Sequence, residues 1–296
     1  MVEKPISVHV NDAQKLIDAS KNKSLVFGAM FNMRTNPCFF KLKDLLDRGE
    51  LGEITRINWI ITDWFRPQSY YDSGNWRATW KGEGGGVLMN QCPHQLDLLQ
   101  WLFGMPSKVR AFCGIGKYHN IEVEDAVTAY LEYPNGATGV FITTTGETPG
   151  TNRLEVCGEN GRVVVENGTL KWTRNTVGQS EYSKSAPISF SRPDVWNIDI
   201  PCGDGWGTQH AGIFQNFIDA IYEKKKLIAP APEGIKSVAL ANAMILSSFK
   251  GKTIDIPLDS NEYEALLMKL VETSVVKTKC ENDSTATDMS ASFSKK

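Results

Sequence analysis

The 296-residue chain is poor in the residues that build metal clusters and covalent staples. It has 4 histidines, and its 6 cysteines (Cys38, Cys92, Cys113, Cys157, Cys202 and Cys280) are scattered without one CxxC pair. That spacing argues against a structural zinc site or a disulfide framework and suits reduced thiols, so no metal is expected and a cytoplasmic location is. No run of about 18 apolar residues could span a bilayer. The opening MVEKPISVHVND is polar and acidic where a signal peptide needs roughly 7–15 apolar residues. Charge of one sign is lacking too: Lys+Arg 32 against Asp+Glu 34 leaves a net −2. There is no basic field for a nucleic acid and no polybasic stripe for a membrane, which leaves small molecules or copies of the chain itself as partners.

A phosphate cradle is also missing. A dinucleotide fingerprint needs GxGxxG after a strand, so that the backbone can approach a pyrophosphate at a helix N-terminus. Gly82 and Gly84 would require glycine where Val87 stands, and Gly203 and Gly205 meet Thr208 at the third position. No GxxxxGK[ST] occurs anywhere.

What is present is an ordinary globular composition, 41% apolar and 22% charged, sufficient for one large domain or two modest ones. The pattern predicts a helix over AQKLIDASKNK with Leu16 and Ile17 inward, then a short buried strand at SLVFGAMF. A helix over CFFKLKDLLDRGELG, ended by Gly49 or Gly52, leads to the strand EITRINWIITDWF. RPQSYYDSGNWRATWKGE is polar, aromatic and turn-rich, as a functional loop would be. Residues 86–103 read as a helix. Beyond it, KVRAFCGIG, EDAVTAYLEY, ATGVFITTTG, NRLEVCGE, GRVVVEN and TLKWTR are short β-type runs split by turn signals such as Asn167-Gly168, which predicts a broad antiparallel sheet. GIFQNFIDAIYEK, EGIKSVALANAMILSSF and NEYEALLMKLVE are amphipathic, and the final residues 276–296 lack periodicity and read as a disordered tail.

The stretch GEGGGVLMNQCPH concentrates the candidate chemistry. Gly84, Gly85 and Gly86 permit close backbone packing at a helix start, against a flat ligand for example, with Glu83 favourable near the positive end of the dipole. Asn90, His94 and Asp97 are spaced i, i+4 and i+7 and would share one helix face, while Leu88, Leu96, Leu99 and Leu102 point to the core. Pro93 removes a helix hydrogen bond and should bend or restart that helix. Trp59, Trp64, Phe65, Tyr70, Tyr71, Trp76 and Trp80 crowd into 22 residues. Such rings suit the flat face of a sugar, although core packing or a subunit interface would use the same residues. Trp76 and Arg77 are candidates for the substrate itself, and His210, at a helix start beside a Gly-rich turn, is another. His9 and His119 have no partners in the pattern and read as surface residues.

The order EKP, FNMRTNP, GELGEI, GNWRATWKGEGGGVLMNQCPHQLDLLQWLFGMP, IEVEDAV, GTNRLEVCGENGRV, NFIDAI and EGIKSVALANAMILSS resembles the Gfo/Idh/MocA family, the relatives of glucose-fructose oxidoreductase and inositol dehydrogenase. The likeness runs from about residue 2 to residue 265. It implies an α/β (α+β) fold: a substrate domain with a large, mostly antiparallel sheet flanked by helices, forming homo-oligomers through the open sheet. It also implies NAD or NADP as cofactor, and oxidation or reduction of a hydroxyl-bearing carbon of a sugar, cyclitol or polyol. By resemblance Lys4 lies beside the nicotinamide and the substrate hydroxyl, with Glu3 and Pro5 of the same motif on the cofactor side; Arg34 is a separate candidate for the cofactor or the domain junction, although a loop between strand and helix also uses an arginine as a cap. The helix after the glycines resembles one that supplies a D-x-x-x-H pair, placing His94 as base and Asn90 where relatives have the aspartate. An amide exchanges no protons, so Asn90 would orient a hydroxyl or His94, with Asp97 as a further substrate-side group.

In relatives EKP follows most of a Rossmann domain, whereas only Met1 and Val2 precede Glu3 here and one βαβ unit takes roughly 30 residues. The expected domains are therefore a Rossmann remnant at 1–35, the substrate domain at 36–275 and the tail at 276–296. Two functional expectations follow. One is a dehydrogenase inactive or impaired as this chain alone. The other is a non-catalytic carbohydrate-binding or oligomerisation module.

Overall fold

The computed structural model describes residues 1–21, 25–203 and 205–275, so the expected tail and Cys280 lie outside the described residues. The chain opens with helix α1 (Val10–Ala19), capped by His9, whose Nδ1 accepts the Asp12 backbone N–H at 3.4 Å. A 3₁₀ turn at Asn32–Thr35 leads to α2 (Pro37–Asp47). Asn36 accepts the Cys38 N–H at 3.0 Å, and Pro37 occupies the first turn, where its missing N–H costs nothing. Gly49, at φ +71°, provides the left-handed residue that turns the chain out of the helix.

Strand β1 (Ile54–Ile61), short helix α3 (Gln68–Asp72) and helix α4 (Pro93–Phe103) follow. Next come β2 (Lys108–Ile115), β3 (Glu124–Glu132), β4 (Thr138–Thr144), β5 (Asn152–Gly158), β6 (Gly161–Glu166) and β7 (Thr169–Asn175). After α5 (Gln179–Ser185) and β8 (Val195–Ile200) lie α6 (Gln209–Tyr222), α7 (Gly234–Lys250), β9 (Ile254–Asp255) and α8 (Ser260–Thr273).

All nine of these strands form one sheet in the order β8-β7-β6-β5-β1-β4-β3-β2-β9. The hairpins predicted from the turn signals are present, and the sheet is antiparallel except where β1 runs parallel to β4 (Trp59 opposite Phe141). Alternate residues of the strands, among them Ile57, Trp59, Ile61, Val109, Ala111, Val127, Phe141, Leu154 and Val163, are buried with Leu88, Leu96, Leu99, Leu240 and Met244 of the covering segments. This alternation is the signature of a sheet with one face packed and one open. On the open side Phe112 is 62% exposed and Tyr130 42%.

Three expectations need correction. Residues 25–31 of SLVFGAMF do not build a strand: they make isolated bridges, Val2 with Ala29 and Gly28 with Pro230, and Pro230 has no N–H with which to extend a ladder. Their Ala29, Met30 and Phe31 instead form a second small core with Ile6, Ala13, Ile213 and Val238, so residues 1–35 pack directly on α6 and α7. The helix predicted over 86–103 begins only at Pro93, the residue that fits a first turn and no later one. His9 is buried at 4% exposure rather than a surface residue. Among the described residues no helix is long and apolar enough to cross a membrane.

Candidate functional site

The glycine run is explained by a backbone contact. A Cβ on Gly86 would lie 1.9 Å from the carbonyl oxygen of Glu124, so only glycine fits. Val87 N–H donates to that same oxygen at 2.9 Å. The Glu124 carboxylate reaches back as well, with Oε1 accepting from Gly86 N–H (2.8 Å) and Leu88 N–H (3.0 Å). Its other oxygen, Oε2, is buried without a partner, and burial pushes the acid up to about 7. Gly86 thus packs on the start of β3, while Gly84 packs on Val8 and Gly85 on Met89.

This clamp delivers Asn90 and His94 to one place. Lys4 arrives there from the chain start, and its Nζ donates to the Asn90 carbonyl oxygen at 2.9 Å. Burial holds the Lys4 ammonium below its ordinary value, against the pull of Glu3 and Glu83. The His94 ring stands edge-on to Phe31, with centroids 6.4 Å apart, and its Nδ1 is buried with no hydrogen-bond partner. Burial first, then the charges of Lys4 and His210, lowers His94 to about 3, so its imidazole is neutral. His210 is exposed at the start of α6, where its Nδ1 lies 3.5 Å from Asn32 Nδ2, a group that also donates to Gln209 Oε1 at 2.5 Å. Lys4 thus touches Asn90 directly, and Lys4 and His210 lie near enough to His94 for their charges to act on it.

The aromatic loop closes over the other side of Asn90. Tyr70 OH donates to Asn90 Oδ1 (3.4 Å) and accepts from Arg77 (3.0 Å) and Gln91 (3.3 Å). Arg77 stacks on both Tyr70 and the half-exposed Trp76, its guanidinium 4.6 and 4.5 Å from the ring centroids. Asn90 Nδ2 donates to Glu83 Oε1. Trp76 and Arg77 thus present a ring face and a cation that reach Asn90 through the Tyr70 hydroxyl.

Other candidates serve the scaffold. Arg34 and Asp97 are each 1% exposed and form a bidentate pair, Nε to Oδ2 at 2.8 Å and NH2 to Oδ1 at 2.7 Å. Gln100 donates to Asp97 Oδ1 (3.0 Å), while Arg34 NH1 also holds Glu233 (2.6 Å) and the Ile228 carbonyl (3.0 Å). Neither residue faces a ligand: the stripe Asn90–His94–Asp97 assumed one continuous helix, and Pro93 breaks the phase. Glu3 is exposed, with a carboxylate oxygen 3.4 Å from the Lys4 amide, and Pro5 follows Lys4 through a cis peptide bond. His119 is not a surface residue either, since Nδ1 lies 2.9 Å from Asp125 and Nε2 2.7 Å from the Arg66 carbonyl. The sequence reading missed Glu83 and Tyr70 as site residues. Their signal was position alone, one directly before the glycine run and one in the aromatic loop.

The comparisons agree with this architecture. Residues 39–164 match the model of the GFO/IDH/MocA C-terminal domain. The WlbA dehydrogenase of Bordetella pertussis, solved with NADH and UDP-GlcNAcA, superposes with a TM-score of 0.69 at 28% identity, covering 87% of this chain and 72% of that one. Inositol 2-dehydrogenase of Rhizobium meliloti is 25% identical over 269 residues, 86% of this chain and 72% of the relative. Levoglucosan dehydrogenase of Pseudarthrobacter phenanthrenivorans is 22% identical over 289 residues, 86% of this chain and 73% of the relative. Over residues 39–164 the chain carries the likeness of a Gfo/Idh/MocA C-terminal domain, and the proteins it is similar to are Gfo/Idh/MocA oxidoreductases.

Proposed function

We propose that this chain forms the substrate side of an NAD(P)-dependent dehydrogenase that oxidises or reduces a hydroxyl-bearing carbon of a sugar or polyol. The observation that carries this reading is the meeting of Lys4 with Asn90 and His94 beside the Trp76–Arg77 stack. A neutral, unpartnered imidazole accepts the proton of a substrate hydroxyl, and the Lys4 ammonium stabilises the oxygen as negative charge develops. Asn90 holds a hydroxyl with its amide and takes up no proton. Arg77, Trp76 and His210 bind the rest of the ring.

Two of the similar proteins, WlbA and levoglucosan dehydrogenase, were solved with NADH. A nicotinamide, when bound, exchanges hydride with the substrate carbon. The unpartnered His94 Nδ1 and the desolvated Lys4 fit the nicotinamide end of such a molecule, with Glu3 and Pro5 flanking. No GxGxxG for its phosphates lies in this sequence. The exposed face of the sheet, with Phe112 and Tyr130, supports association with a second copy, and the scattered thiols support a cytoplasmic location.

The test is turnover. The protein is assayed with NAD and NADP against levoglucosan, myo-inositol and a UDP-linked uronic acid, alongside nicotinamide-fluorescence titration of the chain itself. Turnover lost in His94→Ala supports the reading; turnover unchanged in that variant removes it. The exposed Trp76–Arg77 stack would equally suit a non-catalytic carbohydrate-binding module, which would bind the same sugars with neither hydride transfer nor cofactor affinity.

A further inference from the structure

A directed row of hydrogen bonds connects the exposed loop to the half-buried Glu83 carboxylate. Arg77 and Gln91 both donate to Tyr70 OH, which has one proton and two lone pairs; that proton can therefore point only at Asn90 Oδ1. The Asn90 amide is thereby turned so that Nδ2 faces Glu83 Oε1, an acceptor. Every link has its direction fixed, with a guanidinium at one end and a carboxylate at the other. Glu83 takes hold of the same loop a second time: its Oε2 accepts the Ala78 N–H at 2.6 Å. Ala78 sits at φ +53°, a left-handed conformation unfavourable for alanine and sustained only by its surroundings.

We propose that Glu83 is the positioning residue of the substrate loop: its ionised carboxylate fixes residues 70–78 against Asn90, and its protonation releases them. A protonated carboxyl turns one acceptor into a donor, so either the Ala78 N–H or the Asn90 amide loses its partner. Burial raises Glu83 above the ordinary carboxylate value, so the release falls nearer neutrality than for a free acid. The charged groups acting on Glu83 are Arg77 and Lys4, which favour the anion; Glu124 is the neighbouring acid. This inference rests on the reading of the Trp76–Arg77 loop as sugar-binding, but its first test does not depend on it.

The test is ¹H–¹⁵N NMR of the full chain from about pH 4 to 8, following the Asn90 side-chain amide, the Ala78 N–H and the Arg77 Nε–H. One shared titration is expected, absent in Glu83→Gln. In Tyr70→Phe, which cuts the row midway, Asn90 and Ala78 should still titrate together while the Arg77 Nε–H follows with reduced amplitude, because only its direct coupling to Glu83 and its link through Ala78 remain. Titration persisting in Glu83→Gln, or Arg77 keeping its full amplitude in Tyr70→Phe, overturns the proposal; if Glu83→Gln does not fold, the Tyr70→Phe arm decides alone. In turnover, Glu83→Gln should raise KM about tenfold and leave kcat within about twofold, because the loop binds and does not react. A fall confined to kcat overturns the positioning role. A chain without dehydrogenase turnover refutes the proposed activity and leaves the shared titration to stand or fall separately.

Discussion

Lys4 Nζ donates its 2.9 Å hydrogen bond to the backbone carbonyl of Asn90, not to the side chain. The contact ties the first residues of the chain to the segment that carries His94, and it leaves the Asn90 amide free for Tyr70 and Glu83. It also keeps an ammonium, weakened by burial, where it can face a substrate oxygen.

Replacing Lys4 with methionine keeps the length and apolar stem but removes the charge. Turnover of a sugar or polyol should fall by about 10²–10³, the usual share of one electrostatic donor. Circular dichroism should show an unchanged fold, and steady-state kinetics should place most of the loss in kcat.

For His94→Ala, kcat should fall by about 10²–10⁴. Because burial, Lys4 and His210 hold His94 near 3, its imidazole is already neutral throughout the usual assay range. The kcat profile of the wild-type enzyme should therefore lack an acid limb near 6.5. A limb there would show that His94 titrates normally with substrate bound.

Asp97→Asn breaks the buried bidentate pair with Arg34 and leaves a guanidinium at 1% exposure with only the partly exposed Glu233 as counter-charge. The expected cost is about 3–5 kcal/mol, read from urea denaturation. Replacing both partners with leucine and methionine should cost less than the single change, since no buried charge is then stranded.

Glu124 is raised from an ordinary 4.5 to about 7 by burial. An acid raised in the folded state favours folding most below its unfolded value, and that contribution is lost as pH climbs through about 7. The displacement corresponds to about 3 kcal/mol, at 1.36 kcal/mol per pH unit. Glu124→Gln keeps an acceptor oxygen for the Gly86 and Leu88 N–H groups. Its stability relative to wild type should therefore rise between about pH 5 and pH 8, as followed by thermal melts.

Gly86→Ala would drive a methyl into the Glu124 carbonyl at 1.9 Å, a backbone atom that cannot step aside. A loss of about 2–3 kcal/mol is expected, with weaker protection of the Val87 amide in hydrogen exchange.

Much of this was legible in the sequence where local chemistry decides. Asn36-Pro37 began α2, and Asn167-Gly168, at φ +50° and +70°, made the β6–β7 turn. Lys4 and His94 came from motif likeness, and Lys4, Asn90 and His94 do meet. The failures have one physical origin. The Arg34–Asp97 pair spans 63 residues, the parallel pairing of β1 with β4 is set by tertiary packing, and residues 25–31 meet their neighbours Val2 and Pro230 only in isolated bridges; no short pattern encodes such partners. β8 was missed because it is an edge strand with little burial, so its alternation carries no apolar signal.

The parallel pairing of β1 with β4 also has a meaning for how such a site changes over time. Neighbouring parallel strands must be joined by an excursion, and here that excursion contains the aromatic loop, the glycine run, His94 and α4. Changing the exposed residues of that loop, such as Trp76, leaves the register of every strand untouched, while Tyr71, Ala78 and Trp80 stay fixed in the core. Substrate choice can therefore drift while the sheet stays constant.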